Sequence, residues 1–127
     1  MNFTSLHHIA VICSDYSQAI HFYRDILGFK VLKDTERPEK NDRKIDLLMD
    51  SHTELELFIK AGAPKRPSFP EAYGLRHLAF RVQSADETAA WLQRQGVTVE
   101  PVRTDDITGE RMTFFFDPGG LPLELLD

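Results

Sequence analysis

One strand-like segment occurs twice in the chain. LHHIAVIC begins at residue 6 and LRHLAFRV begins at residue 75, and both read Leu-x-His-apolar-Ala-apolar. Self-similarity at long spacing is typical of an architecture built from duplicated supersecondary units. The whole chain has 127 residues, which suits one domain with a substantial core. The repeat therefore predicts that one small domain is assembled from two related modules.

A segment with the pattern of an amphipathic helix follows each copy of the repeat. The first begins near Asp15 and ends at Gly28, and its apolar face is expected to comprise Tyr16, Ala19, Ile20, Tyr23 and Leu27. The second begins at Ser84, which has capping-box spacing to Glu87, and ends at Gly96. Its inner face is expected to comprise Thr88, Trp91 and Leu92.

Strand-like runs follow each of the two helices. They span residues 29–35, 44–50 and 53–60 in the first half and 97–103, 111–116 and 121–127 in the second. Each half therefore reads β-α-β-β-β, with module 1 at residues 1–60, a proline-rich linker at 61–74 and module 2 at 75–127. Because neither module has enough strands to cover its own core, we predict a single composite domain over residues 1–127.

The repeat selects one histidine from each repeated strand. Successive strand residues point to opposite faces, so His7 and His8 lie on different sides of the first strand. His8 corresponds to His77 in the second copy, whereas His7 has no histidine counterpart. His8 and His77 are therefore the candidate functional histidines.

The same comparison selects one glutamate from each half. In TELELFIK the two glutamates share a face, opposite the leucines and the isoleucine. Glu56 corresponds to Glu124 in the last strand, whereas Glu54 corresponds to Pro122. Glu56 and Glu124 are therefore the candidate functional acids.

Two histidines and two glutamates in matched positions indicate a metal site. Imidazole nitrogen and carboxylate oxygen together suit divalent Zn, Ni, Fe, Co or Mn. A cation would also offset the several kcal/mol that burial of an unpaired carboxylate costs. The alternative is that the histidines are hydrogen-bonded strand residues and the glutamates face solvent. The occurrence of four ligand-type residues at repeat-matched positions favours the metal site.

Composition narrows the class of protein. The net charge of −5 argues against nucleic acid, which requires a basic face. No apolar run approaches the ~20 residues that span a membrane, and the first residues lack the pattern of a signal peptide. The single cysteine, Cys13, cannot form an internal disulfide, and we expect a small hydrophobic role for it. These features predict a cytoplasmic protein with a small-molecule substrate.

Four segments carry a family resemblance that covers essentially the whole chain. HHIAVICSDYSQAIHFYRDILGF, ELELF, GLRHLAFRV and FFFDPGGLPLELLD resemble the vicinal oxygen chelate superfamily. Its members include glyoxalase I, extradiol dioxygenases, methylmalonyl-CoA epimerase, and fosfomycin and bleomycin resistance proteins. The resemblance implies an α+β fold in which two βαβββ modules form a partly open mixed β-barrel around a metal site. It also implies a homodimer, with the metal site either within one chain or shared between two.

The resemblance further implies a ligand set and a reaction. Carried over position by position, the ligands of one divalent ion (Ni, Zn, Co, Mn or Fe) would be His8, Glu56, His77 and Glu124. This set is most similar to that of glyoxalase I, which implies a metal-dependent lyase or isomerase acting on a small oxygenated substrate through an enediolate-type intermediate. Glu124 and Glu56 are the candidate catalytic residues, with Glu124 as the general base by analogy. The alternatives are a thiol-epoxide transferase of the fosfomycin-resistance type and a non-catalytic protein that sequesters a small molecule.

Two positions depart from the glutathione-dependent members of this superfamily. Those members carry an arginine four residues after the first ligand and an asparagine four after the second, where this chain has Ile12 and Lys60. Isoleucine cannot bind a carboxylate as the planar fork of arginine does, so we expect the glutathione grip to be lost or replaced. The candidate substrate-binding residues are Arg103 and Arg111, which could hold an anion, and Phe114 and Phe116, which could line a pocket.

Overall fold

Two four-stranded mixed sheets form the framework of the chain. The computed structural model describes residues 1–127 and divides them into a first unit, Met1–Pro64, and a second unit, Lys65–Asp127. The division falls inside the proline-rich stretch that was predicted to be the linker. None of the helices has the length and apolar character needed to cross a membrane.

Each unit contains one helix-bearing crossover and one sheet. The first unit comprises β1 (His8–Cys13), α1 (Tyr16–Ile20), a π-helical segment (His21–Ile26), β2 (Lys30–Arg37), a 3₁₀ turn (Pro38–Lys40), β3 (Asp42–Leu48) and β4 (Glu54–Ile59). The second unit comprises β5 (Leu78–Arg81), α2 (Ala85–Arg94), β6 (Arg103–Thr104), β7 (Arg111–Phe116) and β8 (Pro122–Leu126). The strand orders are β1-β4-β3-β2 and β5-β8-β7-β6, and neither sheet closes on itself. The predicted βαβββ modules are therefore confirmed.

The two sheets also share the same register. The first strand of each unit runs parallel to the last strand, and Ala10 pairs with Glu56 as Ala79 pairs with Glu124. The last two strands of each unit are antiparallel. The duplication seen in the sequence is therefore a duplication of hydrogen-bonded register, residue by residue.

The core of each unit lies between its sheet and its helix. Leu55 and Leu57 on β4 and Leu123 and Leu125 on β8 are buried, while the intervening Glu56 and Glu124 remain partly exposed. Burial of one such leucine stabilises a fold by about 1.5–3 kcal/mol. The alternation predicted for these strands is confirmed, and the glutamate-bearing faces are left available for chemistry.

The helices begin where predicted, although their inner faces differ. The side chains of Asp15 and Ser84 accept hydrogen bonds from the amides of Gln18 and Glu87, respectively, which caps both helices. In the first helix the π-helical segment buries Phe22, Tyr23 and Ile26, and Leu27, which was predicted to face inwards, is only half-buried. A π-helical turn holds more residues than an α-helical one, and this rotates every later side chain around the axis.

The predicted inner face of the second helix was also partly wrong. Ala85, Ala89 and Leu92 are buried against the sheet, whereas Trp91 is exposed. Adjacent positions on an α-helix lie roughly 100° apart, so a helix that buries Leu92 turns Trp91 towards solvent. Trp91 was predicted to face inwards because its indole is large and apolar. The alanines face the sheet instead, because small side chains allow the helix to approach the sheet closely.

The run at 97–103 was predicted to be a full strand and is mostly not one. Only Arg103–Thr104 pairs as β6, and Val99 makes an isolated bridge to Phe115. Proline has no amide hydrogen to donate, so Pro101 interrupts the ladder between these points. The Thr113 hydroxyl donates instead to the Glu100 carbonyl at 2.7 Å. The other strands begin or end a few residues from their predicted limits.

An inaccessible carboxylate with two partly exposed cations stabilises the end of the first sheet. The Asp42 carboxylate accepts two hydrogen bonds from Arg37, both at 2.7 Å, and one from Lys60 at 2.7 Å, and its side chain exposes no surface. The Arg37 guanidinium, helped by Lys60, holds the pKa of Asp42 far below its usual range. Lys60 is one of the two positions that depart from the glutathione-dependent pattern. Its ammonium group is thus engaged in a structural contact with Asp42.

Asp42→Asn is expected to lower the melting temperature at pH 7 by about 5 °C or more, since breaking a buried ion pair leaves its partners unpaired. A depressed carboxylate pKa contributes stability above the unfolded value near ~3.9, and this stability is lost as pH falls through the lower folded value. The difference in melting temperature between the wild type and Asp42→Asn should therefore become smaller as the pH falls. Thermal unfolding from pH 7 down to acid checks this, with the exposed Asp106→Asn as control. A difference in melting temperature that stays constant with pH would contradict this prediction.

Candidate metal centre

The first unit brings His8 and Glu56 together. His8 begins β1, two residues before the alanine that pairs with Glu56, and the two side chains lie on the same side of the sheet. The distance from His8 Nε2 to Glu56 Oε2 is 3.6 Å. The histidine side chain is 44% exposed and the glutamate side chain 14% exposed, so a small ligand can reach the imidazole while the carboxylate is held in place.

A second carboxylate and a lysine surround Glu56. Asp46 pairs directly with Glu56 across β3 and β4. Lys44 Nζ lies 3.2 Å from Asp46 Oδ1 and 3.5 Å from Glu56 Oε2, so one lysine forms ion pairs with two carboxylates. Two carboxylates therefore share one ammonium group, which leaves this cluster with a net negative charge.

His7 contacts His8, which the strand alternation did not anticipate. The two Nδ1 atoms are 2.9 Å apart, and His7 Nε2 lies 4.0 Å from Glu54. His7 precedes the first residue of β1, so the alternation of strand faces does not apply to it. In a histidine that coordinates a metal, the second ring nitrogen usually donates a hydrogen bond that fixes the ring. His7 is placed to accept such a bond from His8.

The second unit repeats the backbone arrangement with different neighbours. His77 immediately precedes β5, two residues before the alanine that pairs with Glu124. The Arg76 guanidinium lies 3.0 Å from His77 Nδ1, and because guanidinium nitrogens only donate, this ring nitrogen is the acceptor. A neutral His77 then carries its proton on Nε2. Coordination through Nε2 requires Arg76 to turn away from this ring.

The candidate substrate residues divide into two groups. Phe114 lies directly opposite Glu124 and is in edge-on contact with His77 at 5.1 Å between ring centroids. Arg103 lies over the same phenyl ring, 5.6 Å from its centroid. Phe116 is further along β7, opposite Pro122. The structure therefore brings Phe114 and Arg103 to the second-unit pair.

Arg111 has a structural partner. It donates to both carboxylate oxygens of Asp86 in α2, at 2.7 and 3.1 Å, and to Thr104 at 3.4 Å. The carboxylate of Asp86 holds the pKa of Arg111 above its usual value, and Arg111 in turn holds that of Asp86 below. A guanidinium engaged on both sides of its fork is poorly placed to bind a substrate anion. Arg111 instead attaches the helix to β7.

The structure brings together no group of three or more potential metal ligands. Each unit supplies one of the repeat-matched imidazoles and one of the repeat-matched carboxylates. By donor type, imidazole nitrogen and carboxylate oxygen fit divalent Zn, Ni, Co, Mn or Fe. Three flanking residues were missed from the sequence: Lys44 and Asp46, whose positions on β3 could be read from strand parity, and Arg76, which adjoins a repeat histidine.

Comparison with known proteins identifies the family. Residues 5 to 125 match the Glyoxalase/Bleomycin resistance protein/Dioxygenase superfamily. The chain belongs to this superfamily, which is the vicinal oxygen chelate group that its sequence resembles. The crystal structure of a glyoxalase family protein from Enterococcus faecalis is 54% identical, superimposes with a TM-score of 0.94 and covers 100% of both chains.

Several characterised and uncharacterised proteins are similar over nearly the whole chain. The Uncharacterized protein YwkD of Bacillus subtilis is 50% identical over 123 residues, or 97% of this chain and 96% of that protein. A 2-epi-5-epi-valiolone epimerase of Actinomyces is 30% identical, covering 97% of this chain and 79% of the epimerase. The Metallothiol transferase FosB of Staphylococcus saprophyticus is 28% identical, covering 95% and 75%. The superfamily thus includes enzymes of more than one reaction class acting on small molecules.

Proposed function

We propose that this protein is a metal-dependent lyase or isomerase of the glyoxalase type that acts on a small oxygenated substrate. One observation carries the proposal: the same histidine–glutamate pair occupies the same register in both sheets, Ala10 to Glu56 and Ala79 to Glu124. The duplicated backbone keeps the register by itself, and what favours a metal site is that both ligand-type residues recur in it. Membership of a superfamily that contains an epimerase supports the assignment.

The proposed ligands are His8, Glu56, His77 and Glu124. A divalent ion bound there would supply Lewis acidity to the oxygens of a substrate. The chain itself has to orient the substrate and accept a proton from the carbon beside a carbonyl. That second task falls to a carboxylate, because a general base must lie within hydrogen-bond reach of the proton it removes.

We assign the proton transfer to Glu124. Glu56 is held at 3.5 Å by Lys44, which also binds the facing Asp46. Glu124 faces the apolar ring of Phe114 across the strand pair instead. A carboxylate beside an apolar neighbour can change rotamer without breaking an ion pair, so Glu124 is better suited to move between metal and substrate. The superfamily resemblance points to the same residue.

We further propose that the protein works in the cytoplasm as a homodimer. Each unit provides half of a four-ligand set, so a complete site needs two units, either from one chain or from two. Dimers are common in this superfamily. The single cysteine, Cys13, is consistent with a reducing compartment.

A thiol-epoxide transfer of the fosfomycin-resistance type is the second candidate. It is favoured by similarity to the Metallothiol transferase FosB over 95% of the chain. Both reactions use a metal to polarise a substrate oxygen, so the ligand set does not separate them. Sequestration of a small molecule without catalysis is a third candidate from a different class, and it does not require turnover to depend on the metal.

The experiment combines metal content with a substrate screen. Protein reconstituted with Ni, Zn, Co or Mn should hold about one ion per chain by elemental analysis, because the four proposed ligands form one set. It should then show turnover that depends on the metal, on a panel of thiol-plus-aldehyde adducts, 2-oxo acids and epoxides. Turnover confined to epoxides with a thiol would favour the transferase. Ligand binding without metal or turnover would contradict the proposal.

Activity on the glutathione adduct of methylglyoxal is expected to be weak. Ile12 replaces the arginine clamp and Lys60 is engaged by Asp42 at 2.7 Å. We expect a kcat/KM well below the ~10⁵ M⁻¹s⁻¹ of an ordinary efficient enzyme, measured as thioester formation with glutathione and with smaller thiols. Ile12→Arg, at a side chain that is largely exposed, should bind the adduct more tightly than the wild type. Wild-type turnover at or above that value would contradict the expectation.

A further inference from the structure

The ring of Phe114 lies at the centre of a group of charged side chains in the second unit. Phe114 pairs directly with Glu124 across β7 and β8, and His77 contacts its edge at 5.1 Å. Both proposed metal ligands of this unit therefore adjoin one phenyl ring. Whatever else contacts that ring lies next to the proposed site of chemistry.

Two guanidinium groups lie over this ring. The distances from its centroid to the Cζ atoms are 5.5 Å for Arg76 and 5.6 Å for Arg103. Stacking on an aromatic face holds a guanidinium in place without neutralising it, and leaves its in-plane N–H donors free. Arg76 spends one donor on His77 Nδ1. Apart from the phenyl ring, Arg103 contacts Glu100 at 3.3 Å, and both of those side chains are well exposed.

The other arginine–aromatic pairs of the molecule are different. Arg37 lies over Phe58 and also makes two hydrogen bonds to Asp42. Arg43 lies over Tyr16 and also makes two hydrogen bonds to Asp34. Each of those guanidiniums has a carboxylate on its fork, which makes the pair a closed structural contact.

The corresponding position of the first unit carries the opposite kind of neighbour. Asp46 occupies there the place that Phe114 occupies in the second unit, directly opposite the glutamate. Lys44 lies between Asp46 and Glu56, so two carboxylates share one cation. The second unit has an aromatic ring under two arginines instead. A pair of guanidinium groups therefore adjoins only one of the two glutamates.

We propose that Arg76 and Arg103, stacked on Phe114, bind an anionic group of the substrate, a carboxylate or a phosphate or phosphonate. The inference rests on the proposed function and narrows its substrate to small oxygenated anions. Arginine forks match the planar oxygens of both kinds of anion. If His77 held a metal through Nε2, its Nδ1 would carry the proton, and the donor that Arg76 gives to this nitrogen would become available to the anion. The anion then lies beside Glu124, the proposed base.

Isothermal titration with matched probes tests this. Lactate and lactamide have nearly the same shape but differ in charge, and 2-hydroxyethylphosphonate tests the phosphonate alternative. We expect the zinc-loaded protein to bind one of the anions at least about tenfold more tightly than lactamide, because hydrogen bonds to a charged acceptor are stronger than those to a neutral one. Arg76→Gln and Arg103→Gln should each remove about tenfold of that affinity and leave lactamide unchanged.

Arg94→Gln is the control, because Arg94 is an exposed arginine at the end of α2 in the same unit. Equal losses in all three variants would indicate a general charge effect and overturn the proposal. Failure of either anion to bind more tightly than lactamide would also overturn it. Zinc uptake is measured separately on each protein. Uptake without anion preference refutes this inference alone, whereas absence of uptake refutes the proposed function.

Discussion

Glu124→Gln is expected to keep much of the bound metal and to lose about 10² to 10⁴ in turnover per metal ion, the usual contribution of a general base. An amide oxygen can still coordinate, but it cannot take a proton. The carboxylate faces Phe114 and makes no ion pair, so the substitution removes the proton acceptor and leaves the surrounding contacts in place. The measurement is the initial rate divided by metal content, on any substrate found in the screen.

Glu56→Gln is the matched control. Glu56 occupies the equivalent register position but is held by Lys44, so its substitution should cost less in rate at comparable metal occupancy. A greater loss at Glu56 would reverse the two roles. Equal and small losses would remove both residues from proton transfer.

Metal binding is expected to be abolished by His8→Ala and by His77→Ala. Each substitution removes one of only two nitrogen donors, and the remaining carboxylates lack the imidazole that favours transition-metal ions. His7→Ala should have a smaller effect, about 10- to 100-fold in affinity, because His7 contacts a ligand through its 2.9 Å hydrogen bond with His8 and does not itself coordinate. Metal titration followed by elemental analysis measures all three.

His52→Ala serves as the control for removing an exposed histidine, since His52 lies in the loop before β4. It should leave the affinity unchanged. If His7→Ala abolished binding as completely as His8→Ala, then the choice between the two histidines made from the repeat would be wrong. Circular dichroism on each variant separates loss of metal from loss of fold.

Much of the fold follows from the sequence because the duplicated strands carry clear alternation. The leucines of β4 and β8 and the parity of Glu56 and Glu124 were predicted and are confirmed. The helix starts were also predictable, since Asp15 and Ser84 cap through short side chains with a well-understood preference.

The structural features that the sequence did not predict depend on contacts between distant segments. The π-helical segment His21–Ile26 shifts the buried face of the first helix, and no local pattern in the sequence announces it. The exposure of Trp91 follows from how closely Ala85 and Ala89 approach the sheet. The ion pair of Arg111 with Asp86 joins residues far apart in sequence, so no local pattern could indicate that this candidate substrate residue has a carboxylate partner.

The sequence repeat selects the candidate ligands but says nothing about the side chains that surround them. The repeat selects His8, Glu56, His77 and Glu124 without reference to three-dimensional contacts. The side chains around them do not obey the repeat: Lys44 and Asp46 flank one glutamate, whereas Phe114 with its two arginines flanks the other. A site whose backbone is duplicated and whose neighbours are not is suited to bind an unsymmetrical substrate.

The central claim is that these four residues hold one divalent ion. Anomalous diffraction at the zinc edge from crystals of the reconstituted protein tests it directly. We predict one strong peak per site, about 2.0–2.2 Å from a nitrogen of His8, a nitrogen of His77 and carboxylate oxygens of Glu56 and Glu124. A peak bound instead to His7 and Glu54, or the absence of any peak shared by the two histidine–glutamate pairs, would contradict the account.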